Sequence, residues 1–171
     1  SLIDQQIQRI NTIVTKLLQF ARPGEFAGYV EPVAVDEVVA DSLLLLRHLP
    51  GHGLVRVDHR RGATRLVQIN RNELQQVLIN LCTNAIHAMP EGGELRIETR
   101  DWTDEEGREG VAIEVADTGA GIRKEDLPRV FDAFFTTKRR GGTGLGLSIS
   151  YTLLARYGGS ITVDSELGKG S

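Results

Sequence analysis

Apolar residues at the start of the chain recur at alternating steps of four and three: Ile3, Ile7, Ile10, Val14, Leu17 and Ala21. No glycine or proline interrupts residues 1–21. The spacing predicts one long helix with a heptad seam, the pattern by which helices pair in bundles and coiled coils. Arg22-Pro23-Gly24 stops it. Such a stripe also suits a helix lying on its own domain. Its narrowness, and its place ahead of the globular pattern, favour self-association.

Residues 30–35 read as extended. Asp36 is placed to cap a helix running to about residue 49, with Val38, Val39, Ser42, Leu43 and Leu46 inward. Short strands are expected at 54–60 and 65–69. Asn70 or Arg71 opens a second helix that reaches Met89, and Pro90-Glu91-Gly92-Gly93 ends it as a turn. Residues 94–100 and 111–116 alternate apolar and polar side chains, as half-buried antiparallel strands do. The charged stretch 101–110 between them reads as a solvated connection. A third long helix is predicted over 144–157 and a strand over 160–165. Hairpins with helices between them predict an α+β fold, a two-layer sandwich with helices on one face of a mixed, mostly antiparallel sheet.

Composition narrows the function more than the fold. At 171 residues the chain suits one domain with an appendage. Twenty basic against 23 acidic side chains give a formal charge of −3, which excludes an electrostatic nucleic-acid binder. The single Cys82 allows no internal disulfide and no cysteine-based zinc site, so a reducing, cytoplasmic compartment is expected. No segment approaches the roughly 20 apolar residues that span a bilayer, and no membrane contact by this chain is expected. Ser1 opens directly inside a helical pattern, so the chain reads as a piece of a parent whose membrane attachment stays open.

Three segments carry candidate chemistry. On the helix over residues 71–89, Glu73, Gln76, Asn80, Asn84 and His87 fall on one narrow stripe flanked by apolar side chains. A buried amide without a partner costs about 1–3 kcal/mol. These asparagines therefore either cap neighbouring backbone or line a cleft, where an amide oxygen suits magnesium bridging phosphates. The strand over 111–116 runs into Asp117-Thr118-Gly119-Ala120-Gly121-Ile122. That is either a simple turn or a wall where the carboxylate accepts the amine of adenine, with Thr118 adding a hydroxyl. The run Gly141-Gly142-Thr143-Gly144-Leu145-Gly146 enters a helix, where freed backbone amides and the helix dipole favour anions. No Walker lysine follows. Lys138, Arg139 and Arg140 beside it read as a basic surface loop or as a lid over phosphates.

Taken in order, these segments resemble a known family. Asn80-Leu-Cys-Thr-Asn84-Ala, Asp117-Thr-Gly-Ala-Gly121, Val130-Phe-Asp-Ala-Phe-Phe-Thr-Thr-Lys138 and Gly142-Thr-Gly-Leu-Gly-Leu-Ser148 are similar to the nucleotide-binding boxes of two-component sensor histidine kinases. Those kinases share the Bergerat-type ATP-binding sandwich with DNA gyrase, the Hsp90 chaperones and the mismatch-repair ATPases. The resemblance covers the chain from about Val33. Leu17-Leu-Gln-Phe-Ala-Arg-Pro23 is similar to the end of the family's second dimerisation helix. The short Phe-Phe-Thr-Thr-Lys lid looks most like the nitrogen-regulation type.

The resemblance implies three segments: residues 1–23 end a dimerisation and phosphotransfer domain, 24–32 link, and 33–171 form an ATP-binding domain cut short at its last strand. It implies ATP and Mg2+ as cofactors, a response regulator receiver domain as partner, and homodimerisation through the first helix. Asn84 is the implied magnesium ligand, and Asn80 and Lys138 assist at the phosphates. Asparagine replaces the glutamate base that family hydrolases use at the Asn80 position. Asp117 binds adenine, with Gly119, Gly121 and Ile122 shaping that wall. Phe131, Phe134 and Phe135 anchor the lid, and Thr137, Gly142, Thr143, Gly144, Leu145 and Gly146 lie at the nucleotide. His87, where some members carry lysine, lies either at the cleft rim or plainly on the helix surface. No histidine has the acceptor setting of the family, so the acceptor is expected upstream of Ser1 and the chain should bind ATP without phosphorylating itself. An ATP hydrolase or clamp of the same superfamily, and a non-catalytic dimerisation module, are the alternatives.

Overall fold

The computed structural model describes residues 2–21, 29–136 and 146–171. The elements in order are α1 (Leu2–Ala21), β1 (Glu31–Ala34), α2 (Val35–Leu46), β2 (Val55–Arg60), β3 (Leu66–Ile69), α3 (Arg71–His87), β4 (Gly93–Thr103), β5 (Glu109–Asp117) and α4 (Gly146–Arg156). They divide into two compact units, Ser1–Ala27 with Pro128–Ile161, and Gly28–Leu127 with Thr162–Ser171. The Thr137, Lys138, Gly142, Thr143, Gly144 and Leu145 assignments lie outside the described residues.

The larger unit is the expected α+β arrangement, with one difference. The strands form two sheets: antiparallel β1–β3, and a three-stranded sheet of order β2-β4-β5. β2 runs parallel to β4, and β4 pairs antiparallel with β5, so this sheet is mixed. Along β4, Leu95, Ile97 and Thr99 are buried. The alternate positions Glu94 and Arg96 pair with Arg56 and Glu114 on the other face. That alternation gives the sheet one dry face, against which α3 packs, with α2 beside it. The core is Val33, Val38, Val39, Leu74, Val77, Leu78, Ile86, Leu95 and Ile97, each at most 3% exposed. Burying one such side chain contributes about 1.5–3 kcal/mol.

Several boundaries differ from expectation for identifiable reasons. β4 and β5 run on to Thr103 and back from Glu109, because the ladder continues through Trp102↔Gly110 and Thr103↔Glu109. Only residues 104–108 form the connection, closed by Asp104, which accepts from the backbone N–H of Glu106 and Arg108 at 3.0 and 2.8 Å. Asp36 does not cap α2. The N-cap is Ala34, without a side-chain bond, and the Asp36 carboxylate faces His59 and Thr99 instead. Residues 160–165 alternate in character but form no strand; no ladder partner lies beside them among the described residues, and only a Glu166–Gly170 bridge follows.

In the other unit α1 packs with α4. The heptad positions Ile3, Ile7, Ile10 and Val14 are 70, 51, 58 and 47% exposed.

Candidate functional site

Residue placement on α3 begins at its cap. Asn70 accepts from the Glu73 N–H at 3.0 Å through Oδ1 and donates to the Tyr29 carbonyl at 3.1 Å through Nδ2, which satisfies an orphan donor of the first turn. From this start, Leu74, Val77, Leu78, Cys82, Ala85 and Ile86 face the core. Burial pushes the Cys82 thiol up to about 12, which makes it a packing residue rather than a reactive one. On the predicted stripe Glu73 is buried, Gln76, Asn80 and Asn84 are half-buried, and His87 is exposed.

Asn80 is the informative member of that stripe. Its Nδ2 is buried without a hydrogen-bond partner among the described residues. An unmade amide bond at such a place costs about 1–3 kcal/mol, and a binding site is one setting where the missing acceptor arrives with a ligand. The donor suits an anionic oxygen. Asn84, one turn on, carries an amide oxygen of the hard, neutral type that magnesium takes beside phosphate and water ligands. Among the described residues no three His, Cys, Asp or Glu side chains converge on a metal position. A neutral amide oxygen of this kind fits an ion that arrives with phosphates.

β5 delivers Asp117 to the same end of the unit. Its backbone N–H donates to the Ser171 carbonyl at 2.8 Å, and its Oδ1 accepts from the Gly119 N–H at 2.8 Å. Burial raises the carboxyl above its ordinary value, while backbone hydrogen bonds from Gly119 and Ser171 pull it down. An acceptor only partly compensated by its own protein is suited to a donor from outside, such as an exocyclic amine. Thr118 is turned elsewhere. Its hydroxyl accepts from the Glu94 N–H at 3.0 Å and touches the Met89 sulfur at 3.7 Å, so it ties the turn to β4 rather than offering a second contact to adenine.

The turn after Asp117 is joined to α3 through backbone. Ala88 N–H donates to the Asn84 carbonyl at 3.0 Å, and the Ala88 carbonyl accepts from Ala120 N–H at 3.1 Å. Gly119 is required at this crossing, since a Cβ there would stand 2.5 Å from the Ala88 oxygen. Gly121 adopts φ 72°, and a Cβ on it would meet the Glu166 carbonyl at 2.2 Å. The Ile122 N–H donates to Ser165 Oγ at 2.8 Å. The glycines of this box thus permit backbone to approach backbone. Ala88 and Ser165 join the site by contacts that no local signal announces, Ser165 being 43 residues from Ile122.

Next to Asp117 lies an open depression of about 440 Å³ lined by Asp117, Leu127, Asp164, Ser165, Glu166, Gly170 and Ser171. Its carboxylates disfavour phosphate, and among the described residues Asp117 is the one expected site residue that lines it. In the other unit Phe131 packs on Tyr151 with ring centroids 5.5 Å apart, and Arg129 lies 4.6 Å above the Phe135 ring. Phe134 is 61% exposed with φ 67°, so it is not packed into a core among the described residues of that unit. Gly146 opens α4. No helix among the described residues is long and apolar enough to cross a membrane.

Residues 69–171 match the family described as histidine kinase-, DNA gyrase B-, and HSP90-like ATPase. The sensor kinase CckA of Brucella abortus (strain 2308) is 38% identical over 181 residues, covering 99% of this chain and 19% of that protein. The C4-dicarboxylate transport sensor protein DctB of Rhizobium meliloti (strain 1021) is also 38% identical, covering 95% of this chain and 25% of that protein. The chain spans no more than a quarter of either relative. Full-length ShkA, solved in complex with AMPPNP, superposes with a TM-score of 0.75 at 29% identity, over 93% of this chain and 33% of that one.

Proposed function

The chain belongs to the family of histidine kinase-, DNA gyrase B- and HSP90-like ATPases, and on that premise we propose that it is the Mg-ATP-binding catalytic core of a two-component sensor histidine kinase. The observation that carries this reading is the joining of two half-sites. α3 contributes an unsatisfied buried amide at Asn80 and, one turn on, the amide of Asn84. The β5 turn contributes a desolvated carboxylate, and Ala88 and Gly119 fix the two against each other. AMPPNP in the ShkA structure supports a nucleotide as the ligand.

In this reading Asp117 accepts from the adenine amine, Asn80 donates to a phosphate oxygen, and Asn84 is the metal ligand. Magnesium, when bound, neutralises phosphate charge, the main electrostatic requirement of phosphoryl transfer. Lys138 and the glycines around Thr143 complete the phosphate end. An amide at Asn80 cannot take a proton from water, so the cleft holds ATP without activating its hydrolysis. The acceptor is a histidine other than the four present. His59 is tied to Asp36, His87 ends α3, His48 and His52 follow α2, and none lies on α1. The phosphoryl group then passes to an aspartate of a response regulator receiver domain. Residues 33–171 serve as the catalytic domain, and residues 1–23 end a dimerisation domain whose exposed Ile3, Ile7, Ile10 and Val14 pair with a second copy.

The test is a titration of the chain with ATP, with and without magnesium, followed by assay for protein-bound acid-labile phosphate and for ADP. Binding that strengthens with magnesium is expected, with neither bound phosphate nor turnover, and Asn84→Ala should remove the magnesium dependence. Steady ADP formation would favour a hydrolase of the same family. Absence of any binding would leave a non-catalytic dimerisation module.

A further inference from the structure

The segment after residue 162 carries none of the residues assigned to the nucleotide, yet it meets the Asp117 turn at three points. Asp117 N–H donates to the Ser171 carbonyl at 2.8 Å, Gly168 N–H donates to the Ala120 carbonyl at 2.7 Å, and Ile122 N–H donates to Ser165 Oγ at 2.8 Å. Two of these are backbone to backbone and are insensitive to side-chain identity. The third runs through one hydroxyl.

That hydroxyl is saturated, and its hydrogens can be assigned. A serine oxygen has one O–H to donate and two lone pairs to accept with. Ser165 Oγ has three partners: the Ile122 N–H, the Gly170 carbonyl at 2.9 Å and Ser171 Oγ at 2.8 Å. A carbonyl only accepts, so the Ser165 proton goes to Gly170. Ser171 must then be the donor to Ser165, and no capacity remains for a ligand. Ser165 links the far end of the turn to Gly170, while the Asp117–Ser171 rung links the near end to the next residue. Gly121, between them, runs so close to the Glu166 carbonyl that an added Cβ would stand 2.2 Å from its oxygen, which limits how far the turn can shift toward that segment.

We propose that Ser165 is a positioning residue for adenine recognition, holding the 117–122 turn, and with it the Asp117 carboxylate, in the geometry that binds the base. This rests on the nucleotide-site reading above. Ser165 touches no ligand. It acts on the adenine end of the nucleotide and leaves the phosphate end, carried by α3, unaffected.

The test compares ADP with inorganic tripolyphosphate, both in magnesium, by calorimetric titration of the full 171-residue chain. Ser165→Ala should weaken ADP about tenfold, the equivalent of one lost buried hydrogen bond, and leave tripolyphosphate within about twofold. Ser165→Thr, which keeps the hydroxyl, should stay within about threefold of the parent for ADP. Equal weakening of both ligands by Ser165→Ala, unchanged ADP affinity, or an alanine-like loss in a folded Ser165→Thr would overturn the proposal. If Ser165→Ala does not fold, Ser171→Ala carries the test. It deletes only the hydroxyl donating to Ser165, keeps the backbone rung, and should weaken ADP about threefold; an unchanged ADP affinity there would again overturn the proposal. Asp117→Asn separates the two levels. If it leaves ADP affinity intact, the adenine reading fails and the role of Ser165 fails with it. If it weakens ADP while Ser165→Ala does not, the role of Ser165 alone is lost.

Discussion

The β4–β5 pair carries aspartates at both ends, and the two ends are built oppositely. Against one part of it Asp36, from α2, accepts from Thr99 Oγ1 at 2.7 Å and shares a 2.8 Å hydrogen bond with His59 Nε2, and the Asp36 and His59 side chains are both nearly buried. Thr99 in turn accepts from Gly62 and Ala63 N–H at 3.1 and 3.2 Å. Nearby, Asp101 takes the N–H groups of Thr64 and Arg65 and the Thr64 hydroxyl, and those bonds hold its carboxyl below the ordinary value. At the other end Asp117 is shifted upward by burial. The same residue type therefore moves in opposite directions according to whether burial or donors dominate: Asp117 also receives backbone N–H groups, but desolvation outweighs them. A filled acceptor marks architecture, and a desolvated one with acceptor capacity left marks a place for a ligand. Asparagine repeats the contrast on α3: Asn70 has a partner for each end of its amide, while Asn80 keeps an unmet donor.

The largest effect expected from breaking this contrast is at the closed end. Asp36→Ala removes the acceptor shared by His59 and Thr99, and should cost about 2–4 kcal/mol of stability. Urea unfolding measures that loss, while ATP affinity, read where the variant is folded, should stay within about threefold. The next largest is the mirror result. Asp117→Asn should weaken ADP about 10–100-fold, the range for a hydrogen bond to a charged group, with little loss of stability. If Asp36→Ala costs affinity and Asp117→Asn costs stability, the division between the two ends is wrong.

Much of this organisation is legible in the residues. Periodicity places α1, α2 and α3, and Asn70 reads as the start of α3 because capping is a local interaction. The order of amide stripe, acidic turn and glycine run brings Asn80, Asn84 and Asp117 forward as one site. What escapes is whatever depends on distant partners. Asp36 stands where a cap belongs, but His59 and Thr99 come to it from 23 and 63 positions away. Residues 160–165 alternate like a strand, yet alternation reports which face is buried and says nothing of a neighbouring ladder. The charged 101–110 stretch reads as loop because its side chains are polar, whereas its backbone is held by pairing such as Asp101↔Val111. Ser165 carries no sequence signal, since a single serine before a glycine pair is ordinary until Ile122 lies 2.8 Å away.

The smallest effect concerns acid, and it has a sign for each end. Asp101 has its folded value below the ordinary 3.8. Its contribution to stability is present above the unfolded value and lost as pH falls through the folded one. Asp117 has its folded value above 3.8, so the folded protein takes up that proton first. Its contribution is fully present below the unfolded value and lost as pH rises through the folded one. Acidification therefore weakens the fold at Asp101 and favours it at Asp117, while protonation there removes the acceptor that adenine needs. Urea midpoints followed from neutrality into the acid range should show Asp101→Asn flattening the loss and Asp117→Asn steepening it. ADP affinity of the parent should fall at a higher pH than an ordinary carboxylate would dictate. Tripolyphosphate, which makes no use of Asp117, should lack that Asp117-linked step; the same step for both ligands would remove Asp117 from the adenine end of the site.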